Sequence, residues 1–96
     1  MSDTSVTRAA VFADALSERL AHDIKWGETC DHSPGRWLAI LTEELGEVAT
    51  EMLESEDTDG LYRELIQLAA TALAFAENIL QGTNPNLHSI SYQEES

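Results

Sequence analysis

The sequence predicts an all-α fold, a bundle of three main helices per chain. Apolar residues recur at spacings of three and four in three separate stretches. The later stretches are bounded by helix starts and stops: Ser33-Pro34, Asp57-Thr58-Asp59, and Gly82 followed by Pro85. No strand-like alternation of useful length, internal repeat or glycine-rich phosphate loop interrupts them. The helical domain covers residues 1–82, and a polar, acidic segment covers 83–96. A chain of 96 residues buries only about 60–65% of its unfolded surface, so self-association is expected. The bundle would reach a four-helix type through a second subunit or a C-terminal arm.

The first helix is expected from about Val6 to Ile24. Ala9, Ala13, Leu16, Leu20 and Ile24 form its apolar side, and Arg8, Asp14, Glu18, Arg19 and Asp23 mostly fill the other. The apolar side is expected to pack and the polar side to be solvated. A loop follows over Lys25 to His32, which places Trp26 in a polar connection just past a helix end. Ser33 caps the second helix and Pro34 occupies its first position, where a missing N–H costs nothing. That helix runs to about Glu54. After the polar break 55–60, Asp57, Thr58 or Asp59 starts the third helix, which continues to about Leu80 and stops at Gly82. Residues 83–96 read either as a tail or as an arm that docks.

Placing the acidic residues on helical wheels at about 100° per residue is the informative step. On the second helix Trp37, Leu38, Leu41, Leu45, Val48 and Met52 share one arc, the expected core face. Glu44, Glu47 and Glu51 form a stripe along its edge, with Glu43 further round and Glu54 near Glu47. Like charges at these spacings destabilise a helix by a few tenths of a kcal/mol per pair. Arg36 is too distant along the helix to relieve Glu47 or Glu51. The third helix is apolar nearly all round except for one line, Glu64, Gln67, Thr71 and Asn78. Two antiparallel helices would bring Glu44 and Glu47 opposite Glu64 and Gln67. Such an oxygen cluster suits Mg²⁺, with Mn²⁺ as a substitute, and metal ions of this kind clamp a phosphoryl displacement. The competing reading is a solvated acidic face beside a polar seam.

Charge and composition exclude other classes. Eighteen acidic against five basic residues give a formal net charge of −13. Nucleic acids and anionic membranes both attract basic patches, so neither is an expected partner. No apolar run approaches the length of about 18 residues that spans a bilayer. Met1 to Thr7 lack the basic-then-apolar pattern of a secretory signal. Cys30 is the only cysteine, so no internal disulfide can form, and a cytoplasmic location is expected.

Glu43-Glu44-Leu45-Gly46-Glu47, with Glu64-Leu65-Ile66-Gln67 further on, resembles the ExxE…ExxD motif of the MazG-type all-α NTP pyrophosphohydrolases. Lys25-Trp26-Gly27 and His32-Ser33-Pro34 resemble segments that precede the metal helix in the dCTP-pyrophosphatase branch. Leu61 to Ile79 is similar to the third helix of small actinobacterial and phage MazG-like proteins. The similarity covers about Leu20 to Leu80. It implies a dimer or tetramer that cleaves a nucleoside triphosphate between the α- and β-phosphates, giving a monophosphate and pyrophosphate. Carried over by position, Glu44, Glu47 and Glu64 are catalytic metal ligands, with Glu47 also orienting the attacking water. Gln67 stands where the family has Asp, a fourth ligand that brings no charge. That departure leaves an alternative open: a catalytically weakened nucleotide-binding or protein-interaction module of the same fold. By the same resemblance Trp26 stacks on the base and His32 lies near the nucleotide. Lys25 and Asn78 contact phosphates or the metal shell.

Other residues read more plainly. Trp37 is expected to pack in the core. Cys30 and His32 lack further ligands for zinc, and Asp31 beside Cys30 disfavours a thiolate nucleophile. His22 and His88 are expected at the surface.

Overall fold

A computed structural model describes residues 3–27 and 31–87. Cys30, His88, Ile90 and Tyr92 lie outside the described residues. Three helices follow in order: α1 (Asp3–Trp26), α2 (Pro34–Glu54) and α3 (Thr58–Gln81), with no strand among the described residues. The chain is an all-α, three-helix bundle. α3 lies between the other two: α1 and α2 each pack on it and not on one another.

The boundaries follow from local chemistry. Ser33 Oγ accepts from the N–H of Arg36 at 3.2 Å, and Pro34 opens α2. Asp57 Oδ1 accepts from the N–H of Asp59 at 2.9 Å and caps α3. Gly82, with φ +69°, ends α3 in the left-handed conformation that glycine adopts without a Cβ clash. α1 departs from expectation at its end. Lys25 and Trp26 are its last turn rather than a loop. The stop is Gly27 at φ +92°, whose N–H donates to the Asp23 carbonyl at 2.9 Å. Helix propagation continues until a residue favours the left-handed turn, and Gly27 is the first that does.

The core is small. Among the described residues, Ala15, Trp37, Val48, Ile66 and Ala70 are its buried apolar members. Trp37 packs as expected, only 3% exposed and stacked on Phe75 with ring centroids 4.9 Å apart.

Two helix faces are corrected. α1 does not turn its apolar stripe inward: Leu16, Leu20 and Ile24 are exposed, Ile24 at 89%. Its polar side meets α3 instead. The guanidinium of Arg19 pairs with Glu77 at 2.9 Å, Tyr62 donates to Asp14 at 2.6 Å, and His22 lies 3.3 Å from Gln67. α3 presents tyrosine, amide and carboxylate toward α1, so the side of α1 that can bond to them wins. On α2 only part of the expected arc is covered. Trp37 and Val48 are buried and Leu41 is half-buried, whereas Leu38, Leu45 and Met52 are exposed. One neighbouring helix covers one side of that arc, and no second neighbour covers the rest.

Candidate acidic site and adjoining cleft

Glu44 and Glu47 stand one turn apart on α2, and Glu64 faces them from α3. Each offers a carboxylate oxygen, and these three oxygens all lie within 4.8 Å of one another. Glu44 and Glu64 are half-buried and Glu47 is exposed. Antiparallel packing of α2 on α3 across a three-residue connection brings them together.

Their electrostatics are unfavourable as they stand. Burial pushes the Glu44 carboxyl above its ordinary value, and the charges of Glu47 and Glu64 push it further. The Glu64 carboxyl is also raised, by burial first and then by its contact with Glu47. None of the three carboxylates takes part in an ion pair among the described residues. Glu44 Oε2 is buried with no hydrogen-bond partner. A buried oxygen in that position costs about 1–3 kcal/mol unless something donates to it or coordinates it.

Beside the acidic residues opens a cleft of about 640 Å³, lined by all three helices and by Asp31 and His32. That volume falls within the roughly 300–1,000 Å³ typical of small-molecule sites. Glu44, Gln67, Lys25, Trp26, His32 and Asn78 all line it. The polar line of α3 does face inward: Thr71 and Asn78 are buried, and Glu64 and Gln67 are half-buried.

The individual residues are held in different ways. Trp26, 63% exposed, presents its ring at the cleft with Lys25 Nζ 4.8 Å from the ring centroid. His32 sets its ring edge-on to Trp37, 4.9 Å between centroids. Trp37 Nε1 is the second buried polar atom without a partner, and Trp37 also lines the cleft. Asn78 is tied into the fold. Its Nδ2 donates to Asp31 Oδ1 at 3.2 Å, and its Oδ1 accepts from Asn84 at 2.7 Å.

Two contributors were not foreseen. His22 is not a surface residue: it sits half-buried at the cleft, 3.3 Å from Gln67 Oε1 and 3.6 Å from Glu18. Its place follows from the turned face of α1, for which the sequence carries no signal. Asn84 is buried, and its Nδ2 also donates to the His32 carbonyl at 2.8 Å. Asn86 Nδ2 donates to the Asp31 carbonyl at 2.9 Å, so the segment past α3 fastens the turn carrying His32.

Fold and site together define a class: an all-α bundle with a carboxylate cluster of which one member, Glu44, lines a mixed polar and aromatic cleft, while Glu47 and Glu64 do not. No protein-family model, curated protein or solved structure matches the chain.

Proposed function

We propose that the protein is a Mg²⁺-dependent nucleoside triphosphate pyrophosphohydrolase of MazG-like type, cleaving between the α- and β-phosphates in the cytoplasm. One observation carries the reading: three carboxylates converge with no ion-pair partner among the described residues, and one of them, Glu44, has an orphaned buried oxygen and lines a nucleotide-sized cleft. All-oxygen donors of this kind fit a hard divalent ion. Glu44, Glu47 and Glu64 would hold Mg²⁺, or Mn²⁺ in its place, and Gln67 would add a neutral amide oxygen. The bound ion supplies neutralisation of charge that develops on the phosphate oxygens.

The remaining steps belong to the chain. Glu47, the most solvent-exposed of the three, orients the attacking water and accepts its proton. Trp26 offers a face on which a base stacks, and His32, braced by Trp37 and Asn84, borders the same space. Lys25 brings positive charge to the cleft rim for the phosphates. Asn78 acts through the position it gives to Asp31 and Asn84.

A second reading has an observation in its favour. Gln67 carries no charge and is already engaged by His22, which suits a nucleotide-binding module that has lost turnover. Calorimetry separates the two. Mg²⁺ and a non-hydrolysable triphosphate bind under both readings, and the hydrolysable triphosphate is consumed only under the first. Absence of binding by Mg²⁺ and triphosphate together would rule out both.

A further inference from the structure

We infer that the indole N–H of Trp37 reads the ring of the ligand in the cleft, by donating to an acceptor atom at the ring's edge. The inference rests on the nucleotide reading of the cleft and adds to it a residue that packing explains only in part. Trp37 is 3% exposed, yet it lines the cleft and its Nε1 has no hydrogen-bond partner. Buried donors are nearly always bonded, because an unmade bond leaves the whole desolvation cost standing. Packing does not call for this donor, since a phenyl ring would stack on Phe75 as well. The indole is also held in place. Phe75 lies parallel to it, with 6° between the planes, so the N–H has little freedom to seek another partner.

Two rings pack on the indole, and only one of them, His32, lines the cleft. Nε1 is closed to water, so a ligand meets it by displacing the His32 ring, which stands edge-on to the indole at 73°. That ring is free to yield. Its imidazole makes no hydrogen bond among the described residues, while the His32 carbonyl is tied to Asn84 Nδ2 at 2.8 Å. The side chain can turn aside and the backbone stays. Glu44 follows Trp37 by seven residues on α2, two turns and about 10 Å along one face. A ligand whose phosphates meet a cation at Glu44 therefore has room to extend its sugar and ring toward Trp37. Trp26 offers its face to that ring and Trp37 meets its edge. The ligand class is a planar heterocycle with a carbonyl oxygen or bare ring nitrogen at its edge, as a nucleobase has.

Calorimetry in the presence of Mg²⁺ tests the inference with two probes, inorganic tripolyphosphate and non-hydrolysable nucleoside triphosphates of the common bases. Trp37→Phe keeps a ring on Phe75 and removes the donor. It should weaken binding of the best-bound nucleotide about tenfold, the loss of one hydrogen bond, and leave tripolyphosphate binding unchanged. A second measurement decides the matter even if that variant fails to fold. In the ¹⁵N-labelled wild-type chain, the Trp37 indole N–H resonance should move downfield as the nucleotide binds and stay in place with tripolyphosphate. Trp26→Phe tells the signals of the two tryptophans apart. Equal nucleotide affinity in wild type and Trp37→Phe, an equal loss for both probes, or an indole signal unmoved by bound nucleotide would each overturn the inference and leave the nucleotide reading standing. No nucleotide binding by the wild-type chain would overturn both.

Discussion

Glu44 combines a raised carboxyl with an unpartnered buried oxygen. Glu64 shares the condition. Because folding raises both carboxyls, the folded chain holds more protons than the unfolded one from the ordinary carboxylate range up to the raised values. These two groups therefore add stability as pH falls into that window and lose it as pH rises through it. Metal-free protein should melt higher near the acid end of that window than at neutral pH, and Glu44→Gln should flatten the dependence. At neutral pH without Mg²⁺ the same substitution should raise the melting temperature by about 1–3 °C, since like-charge repulsion is relieved. Gln67→Asp makes the opposite change. A fourth carboxylate should tighten Mg²⁺ binding about tenfold by calorimetry and lower thermal stability when the ion is removed.

At the scale of elements, α2 and α3 were legible to within a residue or so because their ends are written in local chemistry. Ser33 and Asp57 place oxygens against free N–H groups, and Gly82 takes the left-handed turn. Ser33→Ala should lower stability by about 1 kcal/mol, read from the denaturant midpoint. Gly82→Ala should lower it by about 1–2 kcal/mol, because alanine pays for the positive φ. The inward direction of the polar line of α3 and the approach of its Glu64 to Glu44 and Glu47 were also legible, since a stripe in an apolar helix has one direction to face, whereas the contact of Gln67 with His22 of α1 was not. The orientation of α1 was not. Its apolar seam is the stronger pattern, and periodicity says which residues share a face without saying which neighbour takes it. The polar contacts of α1 with α3 decide the matter: Arg19 donates to Glu77, Asp14 accepts from Tyr62, and His22 meets Gln67, all of which depend on tertiary placement. Asn84 was illegible for the same reason.

Across the whole molecule, a charge of −13 sets the scale on which the proposed metal site is tested. Mg²⁺ at about 100 times its dissociation constant should stabilise the fold by about 2.7 kcal/mol through binding alone. The shift in melting temperature should exceed that from NaCl of equal ionic strength, and Glu44→Gln should remove the excess. Such a response would place part of the negative charge at a specific site rather than in a diffuse surface field. The most direct measurement is ³¹P NMR of each nucleoside and deoxynucleoside triphosphate incubated with the protein and Mg²⁺. Monophosphate and pyrophosphate should appear from at least one of them, with the rate falling about 100-fold or more in Glu47→Ala. No cleavage of any triphosphate by the wild-type chain and by Gln67→Asp alike, or orthophosphate in place of pyrophosphate, would contradict the account.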